Sequence, residues 1–240
     1  MKRISFLLFT LLMVALCLRL SWWQVERAQE KSQRQVMLER RSEQTYHHID
    51  SLPNDPRWYQ LNVMGQFDQR HAILLDNQIH QGRVGYQVLL PFVSQQRLFL
   101  INLGWLAAPR YREQLPSIPH YYLPIRLTGL IDIPQSLLQL GEQVDELEEL
   151  IQEPNSLQQQ VLRVQNLNLE QLAQKLQKPL EPWILQLDPN HKLALQQHWQ
   201  AVVIGPQKHY AYALQWGLIA VAILLLSLWW QRRVKHGQTA

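Results

Sequence analysis

An α+β membrane protein is the fold class this sequence predicts: two transmembrane helices, one at each end, flanking a mainly antiparallel, barrel-like extracytoplasmic β domain with one or two short helices. Two observations predict it directly. Ile4–Trp23 and Tyr212–Trp230 are apolar runs of membrane-spanning length. Between them, eight short runs rich in β-branched and aromatic residues are bounded by Gly, Pro, Asn and Asp. A third observation removes the alternatives. The single cysteine, Cys17, lies inside the first apolar run, so neither a disulfide framework nor a thiolate metal cluster holds the middle together.

The first element is a transmembrane helix over residues 1–23. As a helix, its apolar run reaches about 30 Å, the thickness of a hydrocarbon core. Arg19 falls near one end, where a guanidinium can snorkel to the headgroups. A cleaved signal peptide is the rival reading, since Lys2 and Arg3 precede the run, but no small-x-small site follows. Lipidation at Cys17 is disfavoured by Leu16 before it. Residues 24–45 (QVERAQEKSQRQVMLERRSEQ and the next residue) contain no Gly or Pro and extend the helix into water.

Residues 46–208 form the β domain. Its strands are read from RWYQLNVMGQF, HAILLDNQI, VGYQVLLPF, RLFLINLGWL, PIRLTGLI, VLRVQNL, EPWILQL and WQAVVI. NLEQLAQKL has Asn168 as N-cap and Leu169, Leu172 and Leu176 on one face, so it is predicted as an amphipathic helix. PRYREQLP is a second candidate helical turn. Residues 134–160 are acidic and Gln-rich and are predicted as a surface insertion. No Asn-Gly or Asp-Gly turn marks a hairpin, so strand order stays open.

Residues 209–231 form the second transmembrane helix, and 232–240 a tail that begins with Arg232 and Arg233. Basic residues at both termini place both ends in the cytoplasm by the positive-inside rule. The expected location is a bacterial inner membrane with the central domain periplasmic. Five of the nine tryptophans (Trp22, Trp23, Trp216, Trp229, Trp230) sit where interfacial belts form. The lipid bilayer is therefore one partner. Net charge is +4, yet the basic residues are dispersed among 19 acidic ones, so no nucleic-acid partner is expected.

Catalytic signatures are missing: no H-E-x-x-H, C-x-x-C, G-x-S-x-G, P-loop or G-x-G-x-x-G is present, and no enzyme activity is expected. What stands out is His209, one turn ahead of the second span. On a helix, His209, Tyr212, Ala213 and Trp216 share a face at spacings of three, four and seven. An imidazole, a small residue and two aromatics suit a planar apolar ligand with a metal centre. By itself this face also fits an ordinary interfacial histidine. Gln24, Arg27 and Lys31 share a face where the first span leaves the membrane, and alone they read equally as a solvated helix face.

The combination resembles a known family. H-x-x-Y-A-x-Q-W opening the last span, with Trp23, Gln24, Arg27 and Lys31 leaving the first, is similar to the Surfeit locus protein one family of cytochrome c oxidase assembly factors. GQFD, GRVGYQVLLPF and INLGWL follow in the family's order (Gly65, Phe67, Asp68; Gly82, Gly85, Tyr86; Asn102, Gly104, Trp105). The resemblance implies a chaperone that assists haem a insertion into oxidase subunit I, with His209 as axial ligand of the haem iron. It also implies haem a as a transient cofactor. Implied partners are cytochrome c oxidase subunit I and haem a synthase or other oxidase assembly factors. A cofactor site of His209, Tyr212, Trp216, Gln24, Arg27 and Lys31 is expected, with the two cations meeting the propionates. The alternative is a structural scaffold for subunit assembly that binds no haem. Two departures stand out: Leu103 replaces an arginine frequent in the strand motif, and the stretch before the glycine block reads Asp76, Asn77, Gln78, where another arginine is frequent.

Overall fold

The computed structural model describes residues 2–134, 148–152, 159–197, 199 and 205–236. The chain divides into a helical unit, Met1–Met37 with Ala201–Ala240, and a β domain, Leu38–Gln200. Helix α1 runs from Lys2 to Ser42 without a break. Its apolar half passes directly into the charged half because no residue in either interrupts the hydrogen-bond ladder.

In the β domain, the strands are β1 (Thr45–Tyr46), β2 (Gln60–Phe67), β3 (His71–His80), β4 (Arg83–Ser94), β5 (Arg97–Ala107), β6 (Ile125–Asp132), β7 (Glu148–Gln152), β8 (Gln159–Val164) and β9 (Ile184–Leu187). Helix α2 is Leu169–Leu176. The sheet order is β1-β2-β6-β9-β5-β4-β3-β8-β7, and β2 also pairs with β4 at Gln66–Val93 and Phe67–Phe92. That extra pairing joins β2, β6, β9, β5 and β4 into a ring, a small barrel with β3, β8 and β7 as a wing. Most pairings are antiparallel; β1–β2, β3–β8 and β5–β9 are parallel. The expected barrel-like, mainly antiparallel domain is what forms.

Alternation along the strands fills two cores. Inward residues such as Leu61, Val63, Val88, Phe92, Phe99, Ile101, Leu127 and Leu185 pack inside the ring. Ile73, Leu89, Leu100, Leu162 and Ile184 pack on the other face with Leu172 of α2. Asn168 caps α2 as read from sequence, its side chain accepting from the Glu170 and Gln171 amides.

Two hairpins arise from unexpected residues. The β3–β4 turn uses Gln81 (φ 49°) and Gly82 (φ 76°), and the β4–β5 turn uses Gln95 (φ 50°) and Gln96 (φ 63°). Both have the two-residue, double-positive-φ form that matches strand twist. Gln95 is held there because its side chain accepts from the Ile49 amide and donates to the His47 carbonyl. PRYREQLP holds a single hydrogen-bonded turn, Tyr111–Gln114, rather than a helix. Within the expected 134–160 insertion, β7 pairs with β8; residues 135–147 and 153–158 lie outside the described residues, as does most of WQAVVI.

The family-like motifs have packing duties. Trp105 lies across Gly85, where an added methyl would overlap the Leu106 carbonyl and come 2.5 Å from the indole. The indole N–H donates to the Gln78 carbonyl at 2.7 Å. Asn102 is 3% exposed and donates to Gln87 (3.0 Å) and Gln186 (2.8 Å), while its oxygen accepts from the Gly104 amide. Gln186 and Trp199 both donate to Asp132. A small cavity of about 30 Å³ lies among these groups. Leu103 is buried where β5 carries one residue more than β4, and Asp76–Asn77 forms the matching irregularity in β3, with Asn77 at φ 57°. Both departures from the family pattern therefore fall at bulges.

Helix α3 runs from Pro206 to His236. The segments Ile4–Ser42 and Pro206–Arg233 are both long and apolar enough to cross a membrane.

Candidate functional site

The site is built by α1 and α3 of the helical unit. Their contacts run in opposite order along the two sequences. Phe6 meets Trp230 with ring centroids 4.4 Å apart. Thr10 meets Ser227, Val14 and Cys17 pack with Ala220, and the Ser21 hydroxyl donates to the Ala213 carbonyl at 2.8 Å. The helices are antiparallel neighbours. Seam positions on α1 (10, 14, 17, 21, 24, 28) and on α3 (209, 213, 216, 220, 223, 227) alternate steps of four and three. That spacing, filled with small residues such as Cys17, Ser21, Ala28, Ala213 and Ala220, allows close helix packing without a hydrophobic driving force.

At one end of the seam, His209 meets Gln24. The His209 Nδ1 lies 2.8 Å from Gln24 Oε1. Because that amide oxygen only accepts, the contact selects the neutral tautomer with its proton on Nδ1, the one that leaves the Nε2 lone pair free. This is the arrangement of a metal-ligating histidine, whose second nitrogen is held by an acceptor that fixes tautomer and ring orientation. The pair lies eighteen residues of α1 beyond Phe6, about 27 Å along the helix, close to one hydrocarbon thickness. An imidazole here sits at the rim of the apolar segment.

The remaining expected residues distribute themselves around this pair. Ala213 is buried and Trp216 packs into the seam beside Cys17 and Ala220. Tyr212 is 52% exposed and turned off the seam. Lys31 is half-buried, one heptad beyond Gln24. Arg27 is exposed, bonded to Glu30 at 2.8 Å, with its guanidinium 5.8 Å from the Trp23 ring. Direct contact therefore joins His209 and Gln24, whereas Arg27 is engaged along its own helix. Among the described residues, no group of three His, Cys, Asp or Glu side chains could hold a metal ion. A metal bound here would need its other ligands from a prosthetic group, as haem provides.

Ser21 was not singled out in the sequence, although its bond to the Ala213 carbonyl locks α3 one turn inside His209. The signal was present as small residues at heptad spacing on both spans. It is silent until the two helices are known to pair.

A family model describing the SURF1 family matches residues 11–221, from within the apolar part of α1, through the whole β domain, to beyond the His209 segment. The chain belongs to the SURF1 family. No curated protein gives a significant match. SURF1 proteins are cytochrome oxidase assembly factors, which fixes the general role and the general kind of partner. The SURF1 match includes both halves of the His209–Gln24 pair.

Proposed function

We propose that this chain assists haem a insertion into subunit I of a haem–copper terminal oxidase, receiving the haem from haem a synthase or another assembly factor. In this reading His209 Nε2 would bind the haem iron, and the Gln24 side-chain oxygen would accept from Nδ1–H and hold the ring in place. Haem a, when bound, brings a redox-active iron with an apolar tail and two carboxylates. The residues present suit it: an imidazole with one nitrogen already satisfied, Trp216 two turns further along the same side of α3, and Lys31 on the same side of α1 as Gln24, a cation for a carboxylate. The protein works in a bacterial inner membrane, with both termini cytoplasmic and the β domain periplasmic. Its role is delivery, without turnover chemistry.

The observation that carries this reading is the interhelical His209–Gln24 bond, which gives a lone histidine the support a ligand needs. The test is a strain lacking the chain, complemented with wild type or His209→Ala. Oxidase from the His209→Ala strain should contain normal amounts of subunit I but little haem a. If subunit I itself is lost, the chain is a scaffold and the delivery role fails.

A further inference from the structure

Helix α3 has a second face that α1 does not cover. Gln215 lies two residues beyond Ala213, about 120° around the helix from the middle of the seam, and about 9 Å inward from His209. It is exposed, and its side-chain amide has no hydrogen-bond partner among the described residues. Around it, Ala211, Leu214, Leu218, Ile219 and Ala222 line a shallow groove of about 450 Å³. Leu214 and Leu218 are 66% and 59% exposed, so the amide stands in an otherwise apolar surface.

If the helices cross a membrane, an unpaired amide facing lipid loses its hydrogen bonds to water. A partner helix restores them. Ala211, Gln215, Leu218 and Ala222 repeat the four–three–four spacing of the seam already filled by α1. A primary amide both donates and accepts, so it is complementary to a copy of itself across a two-fold axis. A second copy anchored in the same membrane also presents Gln215 at the same depth, with Ala211 and Ala222 leaving room for close approach.

We propose that α3 pairs with α3 of a second copy of this chain through this face, with Gln215 bonding to its counterpart. His209 lies on the seam face instead, so each copy keeps its own Gln24–His209 pair.

The test is oxidative crosslinking of the full chain in native membranes, in a Cys17→Ala background. Ala211→Cys and Leu218→Cys should give a species of twice the mass, while Leu224→Cys, turned off this face, should remain single. Adding Gln215→Leu should weaken dimerisation roughly tenfold, the loss of two interhelical hydrogen bonds in a membrane. Gln215→Asn, which keeps a self-complementary amide, should retain most of it. Helix content and membrane retention of each variant report on folding. Equal crosslinking at all three positions, none at any, or no response to Gln215→Leu would overturn the proposal. Crosslinks only to a chain of different mass would also overturn it, assigning the face to a foreign membrane helix.

Discussion

Replacing Gln24 with Leu removes the acceptor 2.8 Å from His209 Nδ1 while keeping the size of the side chain. The imidazole then loses the contact that fixes its tautomer and ring angle. Loss of such a partner typically costs tenfold to a hundredfold in metal affinity, or about 1.4 to 2.7 kcal/mol. The structural cost to the helix pair is smaller. One interhelical hydrogen bond in a membrane averages about 0.6 kcal/mol, and Ser21–Ala213 and Thr10–Ser227 remain. Gln24→Leu should therefore stay folded and membrane-inserted yet bind haem at least tenfold more weakly. Optical titration of purified protein with haem a measures this, and Gln24→Glu, which keeps an acceptor, should retain affinity. An affinity for Gln24→Leu within twofold of wild type would refute the positioning role.

Other expectations concern the β domain. Gly85→Ala forces a methyl against the Leu106 carbonyl and the Trp105 ring, and should destabilise the domain by about 1 to 3 kcal/mol, seen as a lower thermal midpoint. Asn102→Ala leaves the Gly104 amide and Gln186 oxygen without their partner, and should cost about 2 to 4 kcal/mol in chemical denaturation. Acidification should weaken the domain in two stages. Burial, foremost, holds His71 below its ordinary value of 6.5, so the unfolded chain takes up that proton first and stability falls as pH drops below about 6.5. The hydrogen bond from Arg70, helped by Lys178, holds Asp68 far below its ordinary 3.8. Its stabilisation is present above that value and is lost as pH falls further. His71→Gln should flatten the first stage, read between pH 7 and 5, in a melting series carried on below pH 3.8, and leave the second.

Much of the architecture was legible because it follows from period and composition. The two spans announce themselves by length and apolarity, α2 by its Asn168 cap and leucine spacing, and the strands by alternation between turn residues. The strand order, and with it the pairing that closes the barrel, was not legible. Closure depends on Gln66 and Phe67 reaching Val93 and Phe92, a pairing of sequence-distant segments with no local signature. The β4–β5 hairpin was hidden because its turn is made by two glutamines at positive φ, of which Gln95 is held by side-chain bonds to the His47 carbonyl and the Ile49 amide. Leu103 and Asp76–Asn77 read as losses of charge, whereas in the fold they lie at bulges.

At the site, helical spacing placed His209, Tyr212, Ala213 and Trp216 on one side of α3, and the helix pairing then divides them: Ala213 and Trp216 pack in the seam while Tyr212 stays exposed at its edge. Arg27 was expected to meet a propionate, and in the structure it pairs with Glu30 one turn further along the same helix. The bond between Gln24 and His209 spans 185 residues. No local pattern could supply it.

The central claim is that His209 offers its free nitrogen to haem iron. The direct measurement is the absorption spectrum of the full chain purified from cells that make haem a, wild type against His209→Ala. Wild type should carry a haem a spectrum, and the substitution should abolish it or shift its bands to those of a changed axial ligand. A bound haem whose spectrum and yield are unchanged by His209→Ala would contradict the account.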